Sequence, residues 1–63
     1  MTDEYLRNIR QLDLACRNRD LAAAKRLTAA FIEMIHPGEP IDIWRVGAIV
    51  RTYAAEIHGW EIE

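Results

Sequence analysis

Apolar side chains recur every three or four positions along almost the whole chain, the period of a helix buried on one side and not that of a strand. In the first segment Tyr5, Leu6, Ile9, Leu12 and Cys16 fall on one face, with Asn8, Gln11 and Ala15 beside them. Thr2 or Asp3 suits the N-cap, and the acids of the first turn sit at the positive end of the helix dipole. The spacing predicts a helix over residues 3–17. Asn18-Arg19-Asp20 breaks the pattern, and the Asp20 carboxylate is placed to accept unpaired amides of a second helix over residues 20–36. Its apolar face is Leu21, Ala24, Leu27, Phe31, Met34 and Ile35, leaving Lys25, Arg26, Ala29 and Glu33 outside.

His36-Pro37-Gly38-Glu39-Pro40 stops that helix, because proline removes amide donors and glycine permits left-handed backbone. A third helix is predicted over residues 41–58, with Pro40 entering its first turn, Glu39 or Asp42 near its positive end, and Gly59 in the C′ position. Its main face is Ile43, Val46, Gly47, Val50, Tyr53, Ala54 and Ile57. A second flank carries Trp44, Ala48, Arg51 and Ala55, while Ile49 intrudes on the solvated strip of Arg45, Thr52 and Glu56. Trp60 is expected to fold back on the last turn. Short turns between three helices imply antiparallel neighbours, so the fold class is an all-α, three-helix antiparallel bundle in a single domain, 1–63.

Size changes the picture. A chain of 63 residues buries only about 60% of the surface its unfolded form exposes, and usually needs a disulfide, a metal, efficient helix contacts or a partner chain. The single cysteine excludes an internal disulfide, and Cys16, His36 and His58 do not form a zinc-type set. Helix contacts and oligomerisation remain. The second and third helices present apolar residues over more than half their circumference, more than two neighbours need cover, which predicts a homodimer or another protein partner.

Charge narrows the partners. The net charge is −2, which argues against a general polyanion binder. The distribution is uneven: residues 1–26 are net +2 and the remainder net −4. Arg7, Arg10 and Arg17 share one side of the first helix and could track a phosphate backbone. The competing explanation is a solvated face of i,i+4 pairs, Asp3 with Arg7 and Asp13 with Arg17, and the interleaved acids favour it. Leu14 projects among these arginines. Nucleic acid is therefore the lesser alternative.

Candidate chemistry is sparse. There is no serine, no glycine-rich phosphate loop and one lysine, so serine hydrolysis, Walker-type nucleotide binding and Schiff-base catalysis have no residues to run on. A hairpin places Cys16 and His36 about 20 Å apart, which excludes that dyad. His58 can return to the end that holds Cys16, yet a cysteine on an apolar helix face is usually a small hydrophobe. Glu33 and His36 share a face, but a polar helix end near the C-terminal dipole accounts for both. No enzyme, metal or cofactor is expected. The acidic N-terminus lacks the features of a secretory signal, and no apolar run is long enough for a membrane span, so a cytoplasmic location is expected, with no membrane partner.

The expected function is accordingly non-catalytic: a helical protein-interaction module acting as a small regulator, adaptor or inhibitor of a larger protein. Trp44, Ala48, Ile49, Arg51 and Ala55 are the candidate contact residues, since Trp and Arg are enriched at binding hot spots and small residues let another helix approach. The alternative is a nucleic-acid-associated regulator using Arg7, Arg10 and Arg17.

Overall fold

Two aspartates decide where the second and third helices begin. In the computed structural model, which describes residues 2–62, the elements are α1 (Thr2–Arg17), α2 (Leu21–Ile35) and α3 (Ile43–His58). Asp20 accepts the Ala23 amide at the start of α2, and Asp42 accepts the Trp44 amide at the start of α3. The third helix thus starts at Ile43 and not at residue 41. Asp42 is the cap, and Pro40 lies two residues ahead of it, outside the first turn, in backbone that is not helical. Thr2 and Asp3, the two residues expected to cap α1, both lie within it, Thr2 as its first residue and Asp3 in its first turn.

The helix ends show how far local signals reach. Gly59 takes left-handed backbone (φ 62°), and the amides of Gly59 and Trp60 both donate to the Ala54 carbonyl. Arg19 occupies the equivalent position after α1 (φ 54°), where the Arg19 amide donates to Cys16 and the Asp20 amide to Ala15. That geometry usually takes glycine. Here the arginine places its guanidinium 5.4 Å from the centre of the Trp60 ring.

The α1–α2 interface is the most extensive and the α1–α3 interface the least. Tyr5 meets Phe31 edge to face and Asn8 donates to the Leu27 carbonyl, so α1 and α2 run antiparallel. α3 returns its C-terminal end to the Asp13–Arg19 region. The core is built mostly from small side chains, Ala15, Cys16, Ala24, Val46, Val50 and Ala54, with Leu12 and Thr28 buried beside them. Trp60 and Ile62 also press against it, so the tail is docked well beyond the single residue expected to fold back.

Small core residues leave larger ones outside. Ile43 and Ile57, expected on the main buried face of α3, are 77% and 61% exposed, and Leu6 and Ile9 of α1 are exposed as well. On a wheel at about 100° per residue, Leu6 and Ile9 lie on the same side of α1 as Asp13, through which α1 meets α3. They are uncovered because that interface is the smallest of the three.

Candidate functional site

A concavity runs between α2 and α3. Positions 44, 47 and 51 share one side of α3, and positions 25, 26 and 29 share the facing side of α2. Between them lies a groove of about 510 Å³, floored by Ala29, Val46 and Gly47 and closed at one end by Ile41 and Ile43. Trp44 stands over it with 82% of its surface exposed. Asp42 fixes this by setting the first turn of α3, from which Trp44 projects. The charged groups at its rim are Lys25, Arg26 and Arg51, with no carboxylate among the lining residues. Among the described residues none of the three is in a salt bridge.

This arrangement divides the contact residues expected from sequence. Trp44 and Arg51 share the groove. Ile49 and Ala48 instead border a shallower depression of about 410 Å³ with Thr52, Tyr53, Glu56 and Ile57. Five helical residues separate Ile49 from Trp44 by about 140° around the axis. Ala55 is exposed but lines neither concavity, and Ala54, expected on the main apolar face of α3, is fully buried in the core. Lys25, Arg26 and Ala29 complete the groove although sequence periodicity placed them on a solvated face.

Arg7, Arg10 and Arg17 are all exposed. Arg7 borders a small depression with Glu4 and Gln11 against Ala30 and Met34 of α2, whereas Arg10 and Arg17 line neither this depression nor the two described above. The expected pairs do not form: among the described residues neither Asp3–Arg7 nor Asp13–Arg17 reaches salt-bridge distance. Asp13 turns to α3, where its Oδ1 accepts the Tyr53 hydroxyl and lies 2.9 Å from His58 Nε2. The Tyr53 hydrogen bond, ahead of His58 and of the Arg17 charge, holds the Asp13 carboxyl below its ordinary value despite partial burial. Burial, then the adjacent carboxylate, pushes the Tyr53 hydroxyl up to about 12. Partners 40 and 45 positions away leave no local sequence signal.

His58 therefore does reach the Cys16 end, but its partner is Asp13. Cys16 is 1% exposed, and burial followed by the Asp13 charge pushes its thiol up, away from the thiolate that nucleophilic attack requires. Glu33 is not paired with His36. Its carboxylate accepts the Gly38 amide across the turn, while His36 Nδ1 lies 3.5 Å from Glu39. Among the described residues no group of three or more potential ligands is placed to hold a metal ion, and no helix is long and apolar enough to cross a membrane. No protein-family model matches the chain, and no curated protein or solved structure matches it either.

Proposed function

We propose that the chain is a non-catalytic helical interaction module, a small cytoplasmic regulator, adaptor or inhibitor that acts by covering part of a larger protein. The observation that carries this reading is the Trp44 side chain, standing 82% exposed over an apolar groove beside Arg51. Leaving so much aromatic surface in water is unfavourable by roughly 2 kcal/mol relative to burying it, and Trp and Arg are the residues most enriched at binding hot spots. Surface area supports the same view. The chain exposes 4800 Å², against about 4200 Å² for a compact monomer of its mass. The excess of roughly 600 Å² is surface that the contacts among the three helices leave uncovered.

Trp44→Ala tests the reading. Capture of a bound protein from the source cell's lysate should weaken by about thirtyfold, or about 2 kcal/mol, while Leu14→Ala, distant from the groove, leaves it unchanged. Equal capture by wild type and Trp44→Ala would refute it. Self-association through the same surface would appear as a concentration-dependent sedimentation coefficient, and a concentration-independent monomer removes the homodimer form of the proposal. The nucleic-acid alternative draws on the exposure of Arg7, Arg10 and Arg17. It requires binding that falls steeply with salt and is lost in Arg10→Glu and Arg17→Glu.

A further inference from the structure

We infer that the α2–α3 groove takes an acidic amphipathic helix, one whose apolar side chains enter the groove while its carboxylates meet Lys25, Arg26 and Arg51. This inference rests on the interaction-module reading and names the chemistry of the partner. Charge carries it. The protein as a whole is net −2, yet three of its cations surround one concavity in which no lining residue is acidic. With Asp42, the carboxylate next to this lining, engaged at the Trp44 amide, the excess of cations favours an anionic partner at that place over a basic one. The floor decides the class of anion. Apart from Trp44 the apolar lining is aliphatic, with Ala29, Val46 and Gly47 at the floor and Ile41 and Ile43 at one end, whereas single-stranded nucleic acid is bound on successive aromatic platforms. Gly47 leaves room on the floor for the apolar side chains of such a helix. A Cβ built there meets nothing within 4 Å, so the floor is open to a side chain from outside.

The test is an unbiased selection. A displayed library of helical peptides, randomised on one face, is selected against the full chain with Trp44→Ala as the counter-selection. Enriched peptides should carry a net negative charge beside apolar residues at i, i+4 and i+7. Measured by fluorescence anisotropy, an enriched peptide should lose at least tenfold in affinity in Lys25→Glu/Arg51→Glu. Both positions are exposed, and an unchanged circular-dichroism melting curve separates lost binding from lost fold. Enrichment of neutral or basic peptides, absence of enrichment over the counter-selection, or binding indifferent to the charge reversal would each overturn the inference. A 12-mer oligothymidylate that binds more tightly than the enriched peptides would overturn it in favour of nucleic acid. Trp44-dependent capture of a cellular protein that is unaffected by Lys25→Glu/Arg51→Glu would leave the interaction module standing and remove only the acidic helix.

Discussion

Replacing Tyr53 by Phe removes one hydroxyl from the α1–α3 junction and keeps the ring. The oxygen lost is the one that donates to Asp13 Oδ1, leaving His58 Nε2 at 2.9 Å as the remaining named partner on that atom. A hydrogen bond to a charged group contributes about 1.5–3 kcal/mol. The Asp13 side chain is 35% exposed, so water replaces part of the interaction and the expected loss is about 1–2 kcal/mol. A 63-residue domain has a total stability of roughly 3–9 kcal/mol. Urea denaturation followed by circular dichroism resolves such a loss, because with a slope of about 1 kcal/mol per molar the midpoint falls by about 1–2 M. The pH dependence is more specific. Asp13 has a folded pKa below its ordinary 3.8, so its contribution is present above that value and is lost as pH falls through the folded pKa. Tyr53 has a folded pKa raised from 10 to about 12, so its contribution is present below 10 and is lost as pH rises toward 12. The deficit of Tyr53→Phe should therefore be largest between these limits and shrink on both sides. A neutral substitution at pH 7, or a deficit constant across the whole range, would refute the junction as described.

Two further predictions concern stability. Thr28 is 3% exposed and its Oγ1 has no hydrogen-bond partner among the described residues; Thr28→Val replaces that hydroxyl with a methyl of similar shape and should raise stability by about 1 kcal/mol, read as a higher urea midpoint. Gly47→Ala should stabilise α3 by about 0.5–1 kcal/mol, since a Cβ meets no neighbour. The added methyl also fills part of the groove floor, so a melting temperature that rises while Trp44-dependent binding weakens is the expected pair of results, and a fall in melting temperature would contradict the open space at Gly47.

Helix boundaries depend on short-range interactions, and most of these are legible in the letters: Asp20 as an acceptor for free amides, Pro37-Gly38 as breakers, Gly59 as the left-handed stop; the start of α3 is the exception, since Pro40 reads as part of a first turn that opens two residues later than expected, under the Asp42 cap. The angular distance between Trp44 and Ile49 likewise follows from helical spacing alone. Burial does not. Periodicity marks a wide apolar stripe on each helix but not which part of it a neighbour will cover, and that choice falls to how closely small residues such as Ala24 and Ala54 let the helices approach. For the same reason Asp13 reads locally as a partner for Arg17, and only the approach of α3 gives it Tyr53 and His58. Lys25, Arg26 and Ala29 become the wall of a groove, and not a plain solvated face, because α3 lies alongside them. Such pairings are set by the relative placement of whole helices, a property to which no window of adjacent residues has access.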